Sequence, residues 1–163
     1  MTASDRFGGL SRRTAVIIIA TIIVGLLHHT DHVLRVDHSG WPFLRDVSPF
    51  TFSLIAYPIL LFALLGPARL FWLRWFFLLI GVASALWAHT MLETPNMQYA
   101  MWAYDHSLEP QHANDHNLLG LRSPILGIMA AGLGLTLDIL LVVAVFSMLI
   151  DGLGRRARSL LPT

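Results

Sequence analysis

The sequence predicts an all-α integral membrane protein: a bundle of four transmembrane helices, N-in/C-in, with long outer loops. Three observations predict it. Of the 163 residues, 55 % are hydrophobic and only 13 % charged, where soluble domains hold roughly 45–50 % and about 25 %; the mean hydropathy is +0.63. Four apolar segments, 14–34, 50–68, 71–90 and 124–149, each come near the roughly 17–25 residues that a helix needs to cross the hydrocarbon core. The arginines, finally, sort by loop. The length fits a single membrane domain over 1–163.

The first segment runs apolar to Leu27 and then carries His28, His29, Asp31 and His32 in its last turns. Ser11-Arg12-Arg13 before an apolar run also fits a signal peptide, but no small-residue cleavage pattern follows Leu27, so a retained helix is expected. The second segment closes at Gly66-Pro67, and the short connection makes segments two and three antiparallel neighbours. The third carries Gly81 and Ala85 at spacing four, and Pro95 is expected to end its helix with Glu93 on the last turn. Within 95–105, Met97, Met101 and Tyr104 recur at helical spacing and predict a short interfacial helix. In the fourth segment Gly127 and Ala131, and Ala130 and Gly134, form small-xxx-small faces that let helix backbones approach.

With the N-terminus inside, the inner side holds Arg6, Arg12, Arg13, Arg69, Arg74, Arg155, Arg156 and Arg158, and the outer side only Arg35, Arg45 and Arg122. This is the positive-inside bias. Trp72 and Trp75 then fall near the inner boundary, Trp41 and Trp102 near the outer one, as interfacial belts. All eight histidines lie on the outer side, with Asp31, Asp37, Asp46, Glu93, Asp105, Glu109 and Asp115. Ionisable groups placed there mark the outer half as the place to look for chemistry. A net charge of +1 leaves no basic stripe for nucleic acid. The absence of cysteine removes disulfides, thiolate metal sites and cysteine nucleophiles. Short inner loops and a chain without lysine suit a bacterial-type inner membrane, with the histidine clusters facing outside.

Three constellations carry candidate chemistry. His28 and His32 stand four apart on one helix face, as when one helix offers two imidazoles to a metal ion; Asp31 can pair with Arg35 at the same spacing. His89 and Glu93 repeat that spacing at the outer end of the third segment. An acid near a helix C-terminus opposes the macrodipole, so Glu93 calls for a positive partner. His112 and His116 flank Asp115 in the loop before the fourth segment, whereas solvation alone accounts for His38 and His106 in similar loops. Counting about 1.5 Å per residue places His28, Tyr57, His89 and Asp138 in one layer. Asp138 stands in an apolar stretch, where it needs protonation, a hydrogen bond or a cation. For each cluster the plainer alternative is a solvated or backbone-bonded histidine with no ligand.

These residues predict a transition-metal site of copper, iron or zinc formed by His28, His32, His89, Glu93, His112 and His116, with Asp31, Asp115, Asp138 and Tyr57 in supporting or proton-relay roles. Such a site would serve a metal-dependent membrane enzyme or a metal-handling protein, with a lipid-soluble substrate reaching it from the outer leaflet. The histidine pattern departs from that of the di-iron desaturases and hydroxylases, whose histidine clusters face the cytoplasm. A b-type haem held between His28 and His89 is the second expectation. A non-catalytic accessory or proton-relay subunit of a membrane complex is the third.

Overall fold

The computed structural model describes residues 7–36, 49–108 and 114–159. Most of them are helical, with no strand among them: α1 Arg12–Arg35, α2 Pro49–Ser53, α3 Ala56–Leu65, a 3-10 turn Ala68–Leu70, α4 Phe71–Met91, α5 Pro95–Ala103 and α6 Pro124–Ser159. Three stretches are long and apolar enough to cross a membrane: Arg12–Arg35, Ala68–Met91 and Pro124–Arg158. Their exposed faces are apolar. On α6 the exposed face is a stripe of Ile125, Ile128, Leu135, Ile139, Phe146, Ile150 and Leu153, while a few polar side chains, Arg35, Arg74, Gln98, Thr21 and His28, are buried among the apolar core. An apolar exterior that keeps its polar groups inside suits helices solvated by lipid.

The second predicted span, 50–68, is not one helix. It breaks into α2 and α3 across a turn at Leu54 and Ile55. Pro58 explains the break: it has no N–H to give the carbonyl of Leu54, and its ring would collide there. The 10-residue α3 rises only about 15 Å, half of a hydrocarbon core of about 30 Å. The last helix is longer than expected, 36 residues.

By their contacts the described residues form two compact units. One takes those of Met1–Ile23, Ile55–Ser84 and Ile139–Thr163; the other takes those of Val24–Leu54 and Ala85–Asp138. In the first, Ser11 caps α1, its hydroxyl accepting from Thr14 N–H at 3.2 Å, and Asp151 accepts from the Ser11 N–H at 2.8 Å. Gly81 lies within van der Waals reach of Ile59, and the Arg74 Nε donates to Ala63 O at 3.2 Å, so α3 and α4 are antiparallel neighbours as expected. Arg74 is fully buried and also reaches the carbonyls of Leu64, Phe7 and Gly8. A guanidinium here satisfies the open carbonyls at the C-terminus of α3, a role that counting arginines by side does not reveal. Gly8, at φ 58°, has no room for a Cβ against the Gly66 carbonyl.

In the second unit α4 ends at Met91, and Leu92 and Glu93 both donate their N–H to Ala88 O. Pro95 does not close α4 but opens α5, with Thr94 as its N-cap. The helix α5 forms as predicted, with most of its side chains packed inward. Gln98, Ala100, Met101, Trp102 and Ala103 are buried, while Tyr104 is exposed and so breaks the predicted Met97–Met101–Tyr104 stripe. The α6 glycines admit it: a Cβ on Gly127 would lie 2.7 Å from Tyr99 O, and one on Gly134 2.7 Å from Gln98 Oε1.

Candidate functional site: a buried histidine–carboxylate cluster

The last turns of α1, the end of α4 and its following turn, α2, α5 and α6 each contribute a polar side chain to the second unit. On α4, Nδ1 of His89 is hydrogen-bonded to Oδ1 of Asp138 on α6 at 2.7 Å. The buried His28 ring meets the His89 ring edge to face, with centroids 5.0 Å apart. The shared depth read for these three residues therefore becomes contact. Tyr57, placed in the same layer by counting, is half-buried and belongs to the other unit.

One helical turn beyond, a second group forms around Arg35, which is 1 % exposed. Its Nε donates to Oδ2 of Asp31 at 2.9 Å, and its Nη2 pairs with Oε1 of Glu93. The other Asp31 oxygen accepts the indole N–H of Trp102 at 2.9 Å. The other Glu93 oxygen lies 3.3 Å from Nε2 of His32, whose ring stacks on Phe50 at 4.3 Å. The positive partner demanded by an acid at the end of α4 is thus supplied by α1. Burial by itself would raise the Glu93 carboxyl, but the Arg35 guanidinium and the His32 hydrogen bond outweigh it and hold Glu93 well below the usual carboxylate range. Trp102, expected in an interfacial belt, is buried and serves as a hydrogen-bond donor to this group.

His29 lies beside both groups, its ring 6.0 Å from that of His28 and 5.3 Å from the Phe50 ring on which His32 stacks. Nε2 of His29 is hydrogen-bonded to the Ser53 hydroxyl at 2.8 Å, and the Ser53 oxygen lies 2.6 Å from Phe50 O. This ties α2 to α1.

Of the third predicted cluster, His116 is bonded within its own loop. His116 is 61 % exposed and donates from Nδ1 to Asp105 O at 2.8 Å. Its neighbour Asn117 is buried and organises the loop: its amide Nδ2 donates to Asp105 Oδ1, Met101 O and Leu121 O, and its Oδ1 accepts from the N–H groups of Leu119 and Leu121. Asp105 takes a left-handed φ of 59°, held by accepting from Asn117. Asp115 lies in the same loop, half-buried. His112 and His38 lie outside the described residues. Asn117 was missed because a lone Asn in a polar loop carries no periodic or spacing signal.

Compared with known protein families, curated proteins and solved structures, the chain matches none. The chemistry must be read from the geometry alone. Among the described residues no three His, Asp or Glu side chains converge in a way that would hold a metal ion. Both Glu93 oxygens are engaged by Arg35 and His32, and Asp138 by His89. Haem fits no better, because His28 and His89 touch edge to face and leave no gap for a macrocycle. What the cluster can do is hold and pass protons. It joins imidazoles to carboxylates, within hydrogen-bond reach, inside an apolar helical frame.

Proposed function

We propose that this chain is a membrane-embedded proton-relay protein, acting as a subunit or accessory of a larger membrane complex. The observation that carries it is the His89–Asp138 hydrogen bond, 2.7 Å long and joined to the buried His28 ring. A carboxylate in an apolar span is costly, and such groups mark ion and proton paths. The dyad holds a proton between an oxygen and a nitrogen, and His28 is the next acceptor. Transfer between rings at that separation needs a ring rotation or one bridging water. Arg35 keeps Glu93 ionised beside His32, so that a carboxylate stands one helical turn from the dyad.

In this reading the chain crosses the membrane four times, N-in and C-in, with α2 and α3 together forming the broken second span. The arginine bias then turns the cluster toward the outside of a bacterial-type inner membrane. The test is proton flux into liposomes containing the full-length protein and an internal pH dye, driven by a potassium diffusion potential. Flux above that of empty liposomes, lost in Asp138→Asn and His89→Gln, is the expected result. Equal flux in all three proteins overturns the reading.

One observation favours a transition-metal site of copper, iron or zinc as a second reading. Nδ1 of His28 and Nδ1 of His32 are buried without a hydrogen-bond partner, on one face of α1 and near His89 and Glu93. A metal there would have to draw Glu93 from Arg35, which is why this reading stands second. If bound, the metal would act on a lipid-soluble substrate as a Lewis acid or by activating water or oxygen. Elemental analysis of the purified protein and its His32→Ala variant decides: a stoichiometric metal lost in the variant establishes the site, and none in either removes it.

A further inference from the structure

The first unit has a feature that the relay does not use. Where the 3-10 turn enters α4 and the last turns of α6 run beside it, a recess of about 560 Å³ is lined by Arg69, Arg155 and Arg156 together with Phe71, Trp72 and Gly152. Lacking a Cβ, Gly152 lets both rings close on the helix, with contacts of 2.7 Å to Phe71 and 2.8 Å to Trp72 for an added methyl. The guanidinium of Arg155 lies 5.0 Å over the Phe71 ring and donates to Gly8 O at 3.2 Å. Among the described residues no acid lines the recess. Among the described residues of this unit the arginines are Arg12, Arg13, Arg69, Arg74, Arg155, Arg156 and Arg158, against the single acid Asp151.

Three guanidinium groups around one concavity offer an anion both positive charge and N–H donors. Guanidinium forks match the paired oxygens of a phosphate, which they grip by two parallel hydrogen bonds. The position adds a second constraint, because the recess sits at the arginine-bearing ends of two helices long enough to cross a membrane. Trp72, 41 % exposed beside it, is the kind of side chain that settles at headgroup level. We propose that this recess binds a phosphate group, that of an anionic phospholipid headgroup or of a free phosphate compound. Phe71 and Trp72 form its apolar wall and the three arginines its cationic one. The proposal stands apart from the relay and shares no residue with it.

The experiment is native mass spectrometry of the full-length protein released from detergent containing phosphatidylglycerol and phosphatidylcholine, with inorganic phosphate added in a second arm. Arg69→Gln/Arg156→Gln is the test variant, since both side chains are exposed, whereas Arg155 also anchors Gly8. Arg12→Gln/Arg13→Gln removes equal charge outside the recess. Unchanged circular dichroism melting qualifies each variant. The expected result is preferential retention of phosphatidylglycerol, weakened about 30-fold in the test variant, the equivalent of roughly 2 kcal/mol for two guanidinium groups. The control variant should behave as the wild type. Lipid that resists competition by phosphate assigns the recess to a headgroup. Inorganic phosphate that is retained and lost in the same variant assigns it to a soluble compound. Equal losses in the two variants, or no loss in either, overturn the proposal.

Discussion

Replacing Arg35 by Met is the most informative single perturbation of the cluster. The side chain is 1 % exposed and holds Asp31 through Nε and Glu93 through Nη2, with those carboxylates 16 % and 20 % exposed. Methionine fills much of the same volume and follows the same stem, so packing changes little. What changes is that two enclosed carboxylates lose their only guanidinium. Breaking a buried pair from one side costs about 3–5 kcal/mol because the remaining charge is left uncompensated. Asp31 keeps the Trp102 indole and Glu93 keeps His32. The loss should therefore sit at the low end, about 3 kcal/mol. For a chain of this size that corresponds to a melting temperature lower by about 6–12 °C. Circular dichroism melting in detergent micelles measures it. Converting the acids as well, in Arg35→Met/Asp31→Asn/Glu93→Gln, removes the uncompensated charge and should recover more than half of the loss. A loss below about 1 kcal/mol in the single variant would be that of a solvated surface pair. Such a result would refute the reasoning.

Glu93 is held below the usual carboxylate range, so its ionisation stabilises the fold fully above the unfolded carboxylate value and less as pH falls through and below it. The melting temperature should be flat from neutral pH to about pH 5 and drop below about pH 4.3, more steeply in the wild type than in Glu93→Gln; superimposable profiles would show that Glu93 contributes nothing. Asn117→Ala removes the hydrogen-bonding centre of the 114–123 loop and should cost about 2–3 kcal/mol, with limited proteolysis newly cutting there while α1 and α6 stay protected. Gly127→Ala drives a methyl to 2.7 Å from Tyr99 O and 2.8 Å from its ring, so a loss of about 1–3 kcal/mol is expected; Gly132→Ala, with open space around it, should be neutral or slightly stabilising in the same melting assay.

Hydropathy and spacing along the chain determine much of this molecule, because both are properties of a segment by itself. The long apolar helices follow from uninterrupted runs, and the shared depth of His28, His89 and Asp138 follows from a rise per residue counted from a common boundary. The Asp31–Arg35 pair follows from helical spacing alone. Pro58 was also legible, and the break at Leu54 and Ile55 is what its missing N–H dictates. Partner choice between segments is another matter. That Glu93 meets Arg35, that Trp102 turns inward to Asp31, and that Arg74 buries itself under the α3 carbonyls depend on how each helix rotates about its axis. Rotation is set by where side-chain volumes fit, such as α5 settling on Gly127 and Gly134, and no local period encodes it. The predicted metal set shows the consequence. Its residues were chosen for ligand chemistry and spacing, yet the fold commits Glu93 to Arg35 and His32, and Asp138 to His89. In a low-dielectric interior a carboxylate takes whichever cation or donor the packing brings within reach.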